Sequence, residues 1–73
     1  MRDEREYFTP IAGTTYDHRC AGRFRCLYVI GAAEAIFENV RSGWTFKAHG
    51  IVIYPRGAID WYFSTDGHFK KRV

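Results

Sequence analysis

The sequence predicts a small α+β domain in which one helix packs on a mostly antiparallel sheet. Three observations predict it: a hairpin pattern over residues 50–64, a second one over residues 14–30, and a helix-like apolar stripe between them. The expected order is β-β-α-β-β-β. The 73 residues suffice for one domain. We assign residues 1–8 to an N-terminal arm and residues 9–73 to the domain.

Residues 14–30 have the pattern of the first hairpin. Strands are predicted over 14–19 and 24–30, and Cys20-Ala21-Gly22 between them is predicted to form a three-residue loop in which Gly22 takes a left-handed conformation. This register places Tyr16 opposite Cys26. One face then carries Tyr16, His18, Phe24, Cys26 and Tyr28, and the other carries Asp17, Arg19, Arg23 and Arg25. A shift of one residue would invert the two faces.

Residues 32–42 have the spacing of an amphipathic helix. Ala33, Ile36, Phe37 and Val40 follow the i, i+3, i+4, i+7 pattern. Gly43 is placed where a glycine ends a helix. The pattern therefore predicts a helix whose apolar stripe packs on the sheet.

Residues 50–64 have the clearest hairpin pattern in the chain. With Pro55-Arg56-Gly57 as the loop, Ile53 pairs with Ile59 and Ile51 pairs with Trp61. The predicted core face carries Ile51, Ile53, Ile59, Trp61 and Phe63. A β-bulge at His49-Gly50 would bring Trp44 and Phe46 onto that face. A turn over residues 64–67 is expected to lead into a last strand at 68–72.

Charge and segment composition limit the kind of partner and the cellular compartment that the sequence predicts. The 11 basic and 8 acidic residues give a net charge of +3, which is compatible with nucleic acid but is not extreme. Charged residues follow Met1, so no signal peptide is predicted, and no apolar run has the length of a membrane span. We expect a cytoplasmic protein with free thiols at Cys20 and Cys26.

Metal-binding and catalytic motifs are weak. The spacings His18-x-Cys20 and Cys20-x5-Cys26 do not match the usual zinc-binding patterns, so neither a metal nor a cofactor is predicted. Cys20, His18 and Asp17 are residue types of nucleophilic catalysis, but neighbours along a strand point to opposite faces. These observations predict a protein that is not an enzyme.

Residues Tyr28-Val29-Ile30-Gly31, placed before the predicted helix, resemble the second tripeptide of the GIY-YIG nucleases. This resemblance implies a metal-dependent nuclease. The chain has no clear first tripeptide and no later predicted helix to supply a metal-binding glutamate. The nuclease hypothesis therefore ranks third.

The leading hypothesis is an interaction protein that binds a macromolecule, most readily another protein. Aromatic and basic side chains dominate protein-binding hot spots. The predicted partner-binding residues are Tyr54, Arg56, Tyr62, Trp44 and Lys47. Such a protein would act as an inhibitor by covering its partner's site, as small phage and mobile-element proteins do. A second copy of the chain, or the N-terminal arm with Tyr7 and Phe8, are alternative occupants of the same sheet face.

The second hypothesis is a nucleic-acid-binding domain. Its candidate residues are Arg19, Arg23, Arg25, Lys70, Lys71 and Arg72. Basic side chains neutralise phosphates, and aromatic residues exposed beside them stack on bases. A salt titration of oligonucleotide binding would separate this hypothesis from the first.

Overall fold

The computed structural model describes residues 4–20 and 22–67, and these residues form strands and no helix. The strands are β1 (Glu6–Tyr7), β2 (Thr15–His18), β3 (Gly22–Gly31), β4 (Glu34–Asn39), β5 (Thr45–Ile53) and β6 (Ile59–Asp66). The predicted α+β class is therefore wrong. The chain is a small β domain. The part described contains no helix long and apolar enough to cross a membrane.

Five of the strands form a closed meander. β2 through β6 pair antiparallel in chain order, and a parallel pairing of His18 with Ile59 joins the last strand to the first. When an odd number of antiparallel strands closes on itself, the first and last strands must run parallel. The short β1 pairs with β5 at Val52 and Ile53, beyond the end of β4. The result is a five-stranded barrel with one added edge strand.

The predicted helix over residues 32–42 is a strand, because a tight turn and two neighbouring strands determine its conformation. Gly31 pairs with Glu34, and Ala33 between them has a left-handed φ of 54°. β4 then pairs with β3 on one side and β5 on the other. Ala35 and Phe37 join the core cluster. Pairing on both sides overrides the local preference of the alanines for a helix.

The first hairpin has the predicted faces but a different register. Tyr16 pairs with Phe24 rather than Cys26, and His18 pairs with Gly22. The register prediction was wrong by two residues, which leaves Tyr16, His18, Phe24 and Cys26 on their expected face because the period of a strand is two. Tyr28, predicted on the same face, follows a register shift after Cys26 and pairs with Ile36, which places it on the opposite face. Phe24 and Cys26 are accordingly buried, and Arg23 and Arg25 are exposed.

The second hairpin has the predicted register. Ile53 pairs with Ile59, Ile51 pairs with Trp61, and Gly57 has a positive φ in the loop. Two details differ from the prediction. Phe63 is 60% exposed rather than in the core, and β6 continues through the turn expected at 64–67 as far as Asp66. The strand expected at 68–72 lies outside the described residues.

At Gly50 the alternation of core-facing side chains in β5 shifts by one residue, as the sequence required. The shift does not come from the predicted bulge. Phe46 and Ala48 face the core before Gly50, and Ile51 faces the core after it. The pairing with β6 keeps one register on both sides of Gly50, so no residue is inserted. Gly50 instead has a φ of +68°. This left-handed conformation turns the strand about its own axis.

Trp61 lies at the centre of the aromatic core. Its ring lies 5.2 Å from the rings of Phe24 and Phe46 and 5.5 Å from that of Phe37, measured between centroids. The His18 ring is closer, at 4.4 Å. These rings fill the barrel beyond the end of β2, where β6 pairs with β5 but no longer with β2. Side chains therefore close the interior where backbone pairing does not.

Candidate protein-binding surface

The residues predicted to bind a partner are spread along the second hairpin and do not form one patch. Tyr54 and Arg56 lie at the loop that joins β5 to β6. Trp44 precedes β5, and Lys47 pairs with Thr65 near the other end of the hairpin. Tyr62 lies between these two groups. The predicted partner-binding residues therefore lie at both ends of the second hairpin and in its middle.

Tyr54 lies beside a residue from the alternative hypothesis. The Arg19 guanidinium lies over the Tyr54 ring, 4.8 Å from its centroid, and Arg19 Nη1 donates to Tyr54 Oη at 2.8 Å. This pair joins the β2–β3 loop to the tip of the second hairpin. Both side chains have a structural contact at this point, which explains their proximity without a ligand.

A shallow depression of about 350 Å³ lies beside the same hairpin tip. Its lining comprises Glu4, Glu6, Ile53, Tyr54 and Pro55. Glu4 and Glu6 are exposed. The depression is open to solvent, so it does not provide the water-excluded environment of a catalytic cleft.

Tyr62 contacts the N-terminal arm. Its ring lies 6.0 Å from that of Tyr7, and the Arg5 guanidinium lies 5.6 Å from its centroid. On its inner side the ring covers Gly50, where an added Cβ would lie 2.5 Å from Tyr62 Cδ2. Despite these contacts, Tyr62 is 57% exposed and Tyr7 is 70% exposed.

Phe63 is the surface residue that the sequence interpretation missed. Its ring stacks on that of His49 at 4.3 Å with an 8° tilt, on the opposite face of the hairpin from Tyr62. His49 lies close to Glu34 and to Thr65, at 3.4 Å and 3.1 Å. The signal was available. Phe63 pairs with His49, so it follows the change of phase at Gly50 and leaves the core.

The backbone of β6 extends beyond its neighbour β2. The two strands pair only at His18 and Ile59, and the chain then leaves β2 through the loop at Arg19. From Trp61 to Asp66, β6 pairs with β5 on one side and has no described strand on the other. We call residues 61–66 the β6 edge. The exposed aromatic residues that flank it, Tyr7 and Tyr62 on one face and Phe63 on the other, are together called the β6 aromatic surface.

The arginines of the nucleic-acid hypothesis have intramolecular partners. Arg23 Nε pairs with Asp17 at 3.0 Å, and Arg25 pairs with the buried Glu38 at 3.5 Å. Arg19 contacts Tyr54 as described above. These contacts place compensating acids beside the basic face of the first hairpin, which reduces its field at a distance. Lys70, Lys71 and Arg72 lie outside the described residues.

His18 has a partner that the sequence did not indicate. Its Nδ1 accepts from the Cys20 backbone N–H at 3.0 Å, so the ring proton lies on Nε2 and is donated to Asp60 Oδ1 at 2.9 Å. Both ring nitrogens are thus engaged with groups that hold the loop and β6 together. A thiol of Cys20 activated by His18 would need one of them.

The two cysteines differ in environment. Cys20 is exposed and Cys26 is fully buried, and both are free thiols. Burial raises the pKa of the Cys26 thiol to about 11, because the apolar core disfavours the charged thiolate. Among the described residues, no group of three His, Cys, Asp or Glu side chains is arranged to hold a metal ion.

Comparison of the chain with protein-family models, with curated proteins and with solved structures gave no match.

Proposed function

We propose that the protein is a small, non-enzymatic interaction module that binds another protein through the β6 aromatic surface. In this role it would inhibit its partner by covering a site on it. The barrel supplies a rigid support, and the second hairpin presents the contact residues. This proposal keeps Tyr62 from the predicted set and adds Phe63 and Tyr7.

The observation that carries the proposal is the exposure of large aromatic side chains on one strand. Tyr62 and Phe63 each leave more than half of their surface in solvent. A folded protein this small needs most of its aromatic residues in the core, since aromatic burial supplies much of its stability. Adjacent exposed aromatics on a rigid hairpin are typical of protein-binding hot spots.

The charge distribution favours a protein over a nucleic acid at this surface. Residues 58–67, which include β6, contain Asp60 and Asp66 and no lysine or arginine. Phosphate binding needs cations next to the stacking aromatics. At the β6 aromatic surface the only described contact of this kind is Arg5 over Tyr62.

Affinity capture tests the proposal. The full chain, immobilised at its N-terminus, is exposed to lysate of the source organism, and bound proteins are identified by mass spectrometry. We expect one partner to be captured by the wild type and lost with the double variant Tyr62→Ser, Phe63→Ser. The loss should exceed tenfold, because removing two central aromatic contacts typically costs more than 1 kcal/mol each.

The matched control is the double variant Val29→Ser, Ile30→Ser, which removes two other exposed apolar side chains from β3. It should capture the partner as the wild type does. Equal capture by both double variants and the wild type would show that the β6 aromatic surface is not the binding site. Thermal unfolding of each variant verifies that it is folded.

A further inference from the structure

We propose that the β6 edge binds an extended segment of another protein as an added antiparallel strand, with lysine or arginine opposite Asp60 and Asp66. This inference rests on the proposed function and specifies its partner and binding mode. It follows from the direction of the backbone groups, from the aromatic side chains on both faces of the strand, and from the charges at its two ends.

The backbone of β6 points alternate groups toward the open side. The Arg19 N–H donates to the Ile59 carbonyl at 2.8 Å, so the groups of Ile59 point away from β5. The Ala58 carbonyl, one residue earlier, points the other way and accepts from the N–H of Tyr54, the residue that follows β5. Because successive residues of a strand alternate, the N–H and C=O groups of Trp61, Phe63 and Thr65 also point away from β5.

These outward groups form a ladder that a further strand can join. The Trp61 N–H donates locally to Asp60 Oδ1 at 2.7 Å. Ile51, its partner in β5, bonds through its own N–H and C=O to Ala33 and Phe8 rather than to β6. The N–H groups of Phe63 and Thr65 have no strand beside them within the described residues. The edge reaches Phe63 about 13 Å beyond His18, so an added strand would lie in line with β2 but, being antiparallel to β6, would run in the opposite direction to β2.

The side chains around the edge suit an inserted strand. Tyr62 and Phe63 project to opposite faces of the hairpin, so both flank any strand that pairs with the edge. Protective residues that normally prevent edge pairing, lysine and proline, do not occur between 59 and 67. Aromatic and threonine residues in this stretch favour extended pairing.

The charges decide between a second copy and another protein. Two copies pairing antiparallel would hydrogen-bond through their outward residues, and the longest such register is centred on Phe63. That register sets Asp60 of each copy opposite Asp66 of the other. Like charges directly opposite each other are destabilising, whereas lysine or arginine at these positions is stabilising. The edge is therefore suited to a basic segment of a different chain.

Binding of a synthetic peptide to the full-length protein tests this inference. The probe is a capped nine-residue peptide of alternating valine and threonine with lysine at positions 2 and 8, which matches the spacing of Asp60 and Asp66. Amide hydrogen exchange is followed by NMR. We expect the peptide to slow exchange of the Phe63 and Thr65 amides more than tenfold, while the Tyr62 and Ser64 amides, bonded to β5, change little.

Two control peptides separate charge from backbone pairing. Replacing both lysines by glutamate should weaken binding about tenfold, because opposite-charge pairs become like-charge pairs. N-methylation of alternate peptide amides should abolish protection. Equal affinity of the lysine and glutamate peptides, or unchanged exchange at Phe63 and Thr65 with saturating lysine peptide, would overturn the inference. Protection of these amides by raising the protein concentration alone would favour a second copy and also overturn it.

The capture experiment distinguishes failure of this inference from failure of the proposed function. Thr65→Pro removes an outward N–H and leaves Tyr62 and Phe63 in place. If the captured partner is lost with Tyr62→Ser, Phe63→Ser but retained with a folded Thr65→Pro variant, the module binds through side chains and strand addition is wrong. Loss with both variants, together with the peptide result above, supports the inference.

Discussion

At the scale of single residues, Gly50 has the strongest conformational requirement. Its φ of +68° is unfavourable for any residue with a Cβ, and the Tyr62 ring occupies the space where that atom would lie. The aromatic ring packs directly on the backbone of the glycine. Tyr62 thus stabilises the hairpin with one side of its ring and leaves the rest exposed for contact.

Gly50→Ala should destabilise the protein more than Gly57→Ala does. Both glycines have positive φ, but a Cβ at Gly57 meets nothing within 4 Å. We expect the free energy of unfolding to fall by about 1–2 kcal/mol for Gly57→Ala and by about 2–5 kcal/mol for Gly50→Ala. Urea unfolding measures both. Equal losses would mean that the contact with Tyr62 has no energetic consequence.

The Cys26 thiol should make stability fall at high pH. The pKa of this thiol is raised from 9.0 to about 11 by burial, so the unfolded chain loses its proton first. Stability from the neutral thiol is complete below pH 9 and decreases between pH 9 and 11, by up to about 1.4 kcal/mol per pH unit. Comparison with Cys26→Ala isolates this slope. Identical slopes for the two proteins would contradict the assigned cause.

At the scale of elements, β4 shows why part of the fold was not predictable. Ala33, Ile36, Phe37 and Val40 fit a helical stripe, and short apolar runs fit a buried strand equally well. Pairing with β3 and β5 makes this segment a strand, and a local sequence pattern carries no information about that pairing. The second hairpin was predictable because its loop residues and alternation agree on one register. The site was only partly predicted, because the sequence interpretation did not apply the change of phase at Gly50 to Phe63, the residue that pairs with His49.

Substitutions in β4 and at Val40, the residue that follows it, distinguish the strand from the predicted helix. Ile36 is 1% exposed and Val40 is 43% exposed, whereas a helix would bury both on one stripe. We expect Ile36→Val to lower the free energy of unfolding by about 0.5–1.5 kcal/mol and Val40→Ala by less than about 0.5 kcal/mol. Urea unfolding measures the two losses. A larger loss for Val40→Ala would contradict the assignment of β4.

At the scale of the whole molecule, the barrel closes through few backbone contacts and many aromatic ones. Within the described residues, His18 and Ile59 form the one backbone pair between the first and last barrel strands. The His18–Asp60 hydrogen bond and the rings around Trp61 complete the closure. This arrangement leaves the β6 edge outside the closed part of the barrel. The offset between β2 and β6 at the closure of the barrel thus also produces the β6 edge, to which we assign binding.

The charge distribution of the whole molecule leads to the last prediction, which concerns nucleic acid. The net charge is only +3, and Asp17 and Glu38 pair with Arg23 and Arg25. We expect binding to single- and double-stranded oligonucleotides no tighter than about 1 μM at 150 mM salt, the range of non-specific binding. Fluorescence anisotropy over a salt series measures this. As a control, Asp17→Asn, Glu38→Gln should strengthen binding at low salt, because it leaves both arginines without an acidic partner. Nanomolar binding at 150 mM salt by the wild type would favour the nucleic-acid hypothesis over the protein-binding one.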